Sequence, residues 1–349
     1  MGNPTKESLV NRMIGTGNSR THLRSLALLV LATTIVASCG GESVAPVDPA
    51  GTVEITPAPP QLAVAPGIPF GPFGLWTMNV LEWGPKPFTA SHNFINADTL
   101  ILQINAARAK GHRLIIAMAG GPSSRYVTSG QFDLNKWKTV MNTYNKSTLK
   151  TAVAGAVTDG TIIGNMLIDE PETKQWGTTL TKAKIDQMAV YAKTIFPTLP
   201  MGVNHGPPAY KWHNTERYTK VDYVVYQYAY WVSNGNLTTW KDAVLAQAKL
   251  DGVTPAFSLN VLNGGKQDRG DGLYDCVGTG MGGLGQRYPN CLMTSDQVRS
   301  WGKTLTPLGC AILLWQFNKT YMSKSANLSA FNDIATVALS SPKRSCKRV

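Results

Sequence analysis

Short apolar, β-rich runs alternate with amphipathic helical stretches from residue 68 onward, and no Gly-x-Gly-x-x-Gly follows the first of those runs. These two observations predict an α/β fold of the (β/α)8 TIM-barrel type. Alternation of this kind argues for parallel strands joined by right-handed helical crossovers. The missing glycine fingerprint disfavours a dinucleotide-binding sheet.

Strands are expected at 72–79, 113–118, 161–168, 199–204, 222–229, 254–261 and 310–316, each a run of apolar and β-branched residues short enough for one strand. An eighth, weak strand is placed at 88–92, where Ser91 and His92 dilute the apolar signal. Eight strands close a barrel, whereas seven leave an incomplete barrel or an open doubly wound sheet. Residues 97–110 put Ala97, Leu100, Ile101, Ile104 and Ala107 on one helical face, and 181–195, 237–250, 295–304 and 327–339 are amphipathic in the same way.

The chain before the barrel divides into two pieces. Residues 25–37 form an uncharged apolar run behind Arg20 and Arg24. At about 1.5 Å rise per residue it is too short to span a hydrocarbon core of about 30 Å, so it is expected to be the apolar region of an export signal. Its end, Val36-Ala37-Ser38-Cys39-Gly40, resembles the bacterial lipobox. That resemblance implies cleavage before Cys39 and diacylglycerol on its thiol, a membrane anchor stable enough to hold the protein at the cell envelope. Residues 39–66 carry Pro46, Pro49, Pro57, Pro59, Pro60 and Pro66 with little hydrophobic periodicity. Such composition is expected to form an extended tether. The expected organisation is therefore signal 1–38, tether 39–66 and barrel 67–349.

The formal charge is +12, and its Lys and Arg are scattered apart from Lys343, Arg344, Lys347 and Arg348. No basic stripe is formed, so nucleic acid is not expected as a partner; the charge suits solubility and anionic headgroups. Four cysteines follow Cys39, an even number that favours disulfides in an oxidising compartment. Four cysteines allow three pairings. The favoured one joins Cys276 to Cys291 across a Gly-rich loop, and Cys310 to Cys346, because the last helix should return the chain to the start of the last strand. Metal catalysis and cofactors are not expected. His92, His112, His205 and His213 show no His-x-His or His-Glu-x-x-His spacing, and the loop holding Asp268, Asp271 and Asp275 misses the EF-hand pattern.

Chemistry in a barrel sits where the strands end. Acidic residues number only 21, yet Asp169 and Glu170 stand together directly after Met166-Leu167-Ile168 and before Pro171. A carboxyl group held among apolar walls has a raised pKa, which suits a general acid, and glycosidic cleavage uses two such groups flanking the bond. Other strand ends supply rings and amides suited to sugars: Trp76, Asn79 and Trp83, then His205, then Tyr226, Gln227, Tyr228 and Trp231, then Asn260, and finally Trp315 and Gln316. The structural alternative is that Asp169 caps the next helix and Pro171 stops the strand.

Asp169-Glu170-Pro171 in the fourth strand position resembles the Asn-Glu-Pro of clan A glycoside hydrolases, and Leu313-Leu314-Trp315-Gln316 is similar to the end of their last strand. The resemblance covers the order of elements and a few motif positions. It implies a TIM barrel, a carbohydrate substrate, and Glu170 as general acid/base. Asp169 stands where the clan has Asn, and the seventh strand reads Ser258-Leu259-Asn260-Val261, with no carboxylate at the nucleophile's position. The second acid is therefore open among Asp169, Glu82, Glu172, Asp268 and Asp271, with Glu82 preferred. Neighbouring residues on a strand point to opposite faces, so Asp169 and Glu170 need a bulge to act together. A barrel that keeps the aromatic surface and binds glycans without cleaving them is the alternative reading.

Overall fold

The computed structural model describes residues 63–73, 87–177, 180–207, 212–233, 235–265 and 292–349. The strands of its main sheet are β1 (Phe70–Pro72), β2 (Ala90–Phe94), β3 (Arg113–Ala117), β4 (Ile162–Asp169), β5 (Met201–His205), β6 (Tyr223–Tyr228), β7 (Thr254–Asn260) and β8 (Ile312–Trp315). They pair in parallel in chain order from β2 to β8, and β8 pairs with β1. Between β1 and β2 the Thr89 N–H donates to the Phe70 carbonyl at 2.8 Å, and the Phe70 N–H donates to Thr89 Oγ1 at 3.1 Å. The ends of the ring therefore meet, as the eighth strand requires. The weak strand exists, displaced to Ala90–Phe94, and it is buried despite its polar residues: the His92 ring stacks on Phe73 at 4.0 Å.

The helices are α1 (Leu100–Ala109), α2 (Leu134–Asn142), α3 (Ser147–Thr158), α4 (Lys182–Ile195), α5 (Leu237–Asp251), α6 (Ser295–Leu305), α7 (Lys319–Met322) and α8 (Ser325–Ser340). Local chemistry sets several starts. Thr294 and Gln297 form a reciprocal capping box at α6, Asp133 accepts two backbone N–H groups at α2, and Thr181 and Asn236 cap α4 and α5. Periodicity alone did not predict α2 and α3. Between β5 and β6 the described residues 212–222 form no helix at all.

The interior of the barrel is filled across strands. Tyr223 on β6 occupies the space left by glycines on β4 and β5: a Cβ on Gly164 would come within 2.5 Å of its ring and one on Gly202 within 2.1 Å. Residues two apart on a strand share a face, so Gln227 lies on Tyr223's inward side and Tyr228 on the outward side. Tyr228 accordingly packs at 5.0 Å from both Trp240 on α5 and Trp301 on α6. Cys310, just before β8, is disulfide-bonded to Cys346 beyond α8, as the expected return of the last helix requires. Cys276, Cys291 and Cys39 lie outside the described residues.

Candidate active site

The end of β4 is shaped by an extra residue. Met166 pairs with Gly202, but the next pair is Asp169 with Asn204, so three steps on β4 match two on β5. This is a bulge, the device that re-aims side chains at a strand end. Asp169 then faces its partner, and the Asn204 amide donates to Asp169 Oδ1 at 2.5 Å. Glu170 follows with φ of +45°, a left-handed conformation that costs a non-glycine residue about 1–3 kcal/mol. The strained turn is held from both sides. The Glu170 N–H donates to the Asn204 carbonyl at 2.8 Å, and its own carbonyl accepts from the Thr173 hydroxyl at 2.8 Å. Bulge and turn together bring neighbouring carboxyl groups to one side of the sheet.

Glu170 Oε1 accepts from the Gln227 amide at 3.2 Å, which places it over the inward face of β6. Glu172 is the third member of the cluster. Its Oε1 accepts the Gly206 N–H at 2.6 Å, and its Oε2 lies 3.2 Å from His205 Nδ1. A Cβ on Gly206 would lie 2.7 Å from Glu172 Oε1 and 3.2 Å from Glu170 Oε1, so those two oxygens are within about 6 Å of each other. The absence of a side chain at Gly206 leaves room for both.

Burial pushes the Glu170 carboxyl up to about 8, with the charges of Asp169 and Glu172 adding and the Gln227 amide opposing. Burial likewise raises Asp169, to about 6, against the Asn204 hydrogen bond and with the Glu172 charge adding. Near neutral pH the site thus holds a proton on Glu170, the form that donates. A cavity of about 180 Å³ opens beside Asp169, bounded by Phe94, Met166, Ile168, Gly120 and Trp176. The Trp176 indole N–H donates to the Asp169 carbonyl at 2.7 Å, and the ring stacks towards Tyr126 at 6.2 Å. A second cavity of about 710 Å³ adjoins it at Phe94, Ala117, Gly120 and Gly121.

Of the residues singled out in the sequence, the structure places Asp169, Glu170 and Gln227 beside one another. It adds Glu172, one of several open candidates for the second acid, as a further carboxylate near Glu170. The preferred partner Glu82, with Trp76, Asn79 and Trp83, lies outside the described residues. Three expected sugar contacts, Tyr226, Tyr228 and His205, are corrected, because their side chains are buried. Tyr228 is fully buried between the barrel and its helices. Tyr226 is buried against the His205 ring, and His205 is itself buried, with Nε2 at 3.0 Å from the Tyr218 hydroxyl. Strand alternation turns these rings outward, away from Gln227. Asn260 Oδ1 accepts the Asn263 N–H at 3.1 Å and so caps its own turn. Trp231, part-buried, donates from its indole to the Asn263 carbonyl at 3.1 Å; Trp315 is buried and Gln316 half-buried, joined by a cis peptide. Trp176 and Phe94 escaped sequence reasoning. For Trp176 the available signal was an aromatic residue in the loop directly after the acidic motif.

No protein-family model matches the chain, and no curated protein does. Solved structures similar in chain path include xylanase 10B of Thermotoga maritima, 11% identical over 78% of this chain and 96% of its own, with a TM-score of 0.46. Xylanase 10B of Thermotoga petrophila, in complex with xylobiose, is 11% identical over 78% of this chain and 95% of its own, with a TM-score of 0.47. A Cellvibrio japonicus xylanase 10C in complex with xylopentaose is 9% identical over 82% of this chain and 69% of its own, with a TM-score of 0.47. At this identity the likeness is one of fold.

Proposed function

We propose that the barrel is a glycoside hydrolase for a poly- or oligosaccharide, with Glu170 as proton donor and Glu172 as the opposing carboxylate, tethered to the cell envelope through a lipid on Cys39. The observation that carries the reading is the pair itself: a carboxyl that burial pushes up to about 8, with a second carboxylate oxygen no more than about 6 Å away. Retaining enzymes space their carboxyl groups about 5–5.5 Å apart and inverting ones about 6.5–9.5 Å. A separation no greater than about 6 Å falls short of the inverting range, which favours retention. Glu170 protonates the leaving oxygen while Glu172 attacks the anomeric carbon; Glu170, now ionised, then takes a proton from the water that releases the sugar. The Gly206 N–H and His205 hold Glu172 in place for that attack.

A second reading is favoured by β7, which ends in the self-capping Asn260 instead of a carboxylate: the barrel binds glycans without cleaving them. Both are decided by incubating wild type and Glu170→Gln with a panel of neutral and acidic polysaccharides. Hydrolysis is expected in the wild type, with the product anomer retained by proton NMR, and loss of turnover with unchanged circular dichroism in Glu170→Gln. Binding without product supports the second reading, and parental turnover in the variant removes Glu170 from its role. For the anchor, Cys39→Ala is expected to move the protein from the detergent-rich to the aqueous phase on cloud-point partition. Unchanged partition removes the lipid tether.

A further inference from the structure

We infer that Arg348, delivered by the Cys310–Cys346 disulfide, is a positioning residue for Glu172, acting through Tyr218 and His205; the inference rests on the reading of Glu172 as a working carboxylate. The chain of contacts is continuous. Between β5 and β6 the described residues 212–222 lack the helix that elsewhere satisfies backbone groups. Side chains replace it from two directions. Asp186 on α4 accepts the N–H groups of Thr219, Lys220 and Val221 at 2.6, 2.9 and 3.2 Å. From the segment after α8, the Arg348 guanidinium donates to the carbonyls of Tyr218 at 2.7 Å, Val221 at 2.8 Å and Asp251 at 2.6 Å.

That segment is itself fixed at two points. Cys346 is buried and bonded to Cys310 at the foot of β8, and the Lys347 carbonyl accepts from the Thr254 hydroxyl at 2.6 Å at the start of β7. Arg348, two residues beyond the disulfide, is therefore presented from a fixed base. Its target Tyr218 is buried, with its ring under the Lys182 ammonium at 5.0 Å and its hydroxyl at 3.0 Å from His205 Nε2. The other nitrogen, Nδ1, lies 3.2 Å from Glu172 Oε2. A tyrosine hydroxyl donating to Nε2 leaves the proton on Nδ1, where it donates to the carboxylate. Releasing the carbonyls of Tyr218 and Val221 removes the fixed base of this relay. Glu172 then keeps only the Gly206 N–H to hold it against the neighbouring Glu170.

The test uses the full chain, purified in detergent with 15N-labelled histidine, as wild type, Arg348→Ala, Arg348→Lys, Cys346→Ser and, as a control for charge, the exposed Arg344→Ala. The His205 imidazole, assigned apart from the buried His92 and His112 by its loss in His205→Gln, is expected to show an Nδ1-bound proton protected from exchange. Arg348→Ala and Cys346→Ser should lose that protection, and Arg348→Lys should retain it in part. On a substrate that the wild type cleaves, kcat should fall with KM little changed, by about tenfold to a hundredfold, the size associated with misplacing a reacting group by about 1 Å. Arg344→Ala should match the wild type in both readouts. Retention of the protected Nδ1 proton in Arg348→Ala overturns the inference whatever the rate does. If Cys346→Ser does not fold, the two Arg348 variants decide. Loss of the resonance in a protein that cleaves no glycan leaves the positioning chain standing and removes the hydrolase reading instead.

Discussion

Glu170 combines three features that rarely coincide by chance in one residue: a left-handed backbone, a raised carboxyl and a polar partner on a facing strand. Strain of this kind persists where the surroundings over-determine it, and here Asn204 and Thr173 do so. Its proton is retained first by burial and then by the negative charges of Asp169 and Glu172. Replacing Glu172 by Gln removes one of those charges, so the Glu170 carboxyl should titrate below about 8. Carbon-13 NMR of labelled glutamate carboxyls reads this directly, without a substrate. An unchanged or higher midpoint in Glu172→Gln would show that the two groups do not sense each other. The motif Asp169-Glu170-Pro171 was legible because carboxyl pairs are scarce in this chain and this one follows an apolar run. Glu172 stood only one step further and was not preferred, since its closeness to Glu170 depends on a turn and a glycine 34 residues away in sequence, at Gly206.

Among the elements, β4, β5 and β6 form one unit, because a single ring crosses between them. Tyr223 is fully buried, and Gly164 and Gly202 make its room. A methyl at Gly202 would fall 2.1 Å from the ring, far inside contact distance. Gly202→Ala should therefore destabilise the barrel by about 1–3 kcal/mol, the usual consequence of overpacking, as read by urea denaturation. A change within about 0.5 kcal/mol, typical of neutral surface sites, would mean that the ring can move aside. Most strands and five helices were legible as periodic apolar runs. The second strand was legible only as weak, because Ser91, His92 and Asn93 occupy positions that the barrel nevertheless buries. The outward turn of Tyr226 and Tyr228 was not legible, since both faces of a parallel strand are buried and its residues carry no alternation to mark the inside. The polar loop 212–222 gave no hint of its role, since its order comes from Asp186 and Arg348, both remote in sequence.

At the scale of the whole molecule, the site and the core pull stability in opposite directions with pH. Asp169 and Glu170 sit at about 6 and about 8 in the folded chain against 3.8 and 4.5 when free, so the folded chain binds more protons between those limits and stability falls as pH rises through them. His92 and His112 do the reverse. Burial lowers them from 6.5 to about 3 and about 4, with Lys110 adding for His112, so the unfolded chain binds more protons there and stability falls as pH drops below 6.5. Above 6.5 only the carboxyl effect remains, and below 3.8 only that of the histidines. The melting temperature should therefore peak where the two oppose, between about pH 4.5 and 6.5, and decline towards either side. Glu170→Gln keeps the neutral shape of the side chain and abolishes its titration. Its melting temperature should exceed the wild type's at about pH 9, and the difference should shrink as pH falls through the window from about 8 to 4.5. Calorimetry across that range checks both signs at once. A variant no more stable than the wild type at alkaline pH would show that the fold does not retain a proton on Glu170, and with it would go the acid that the proposed hydrolysis requires.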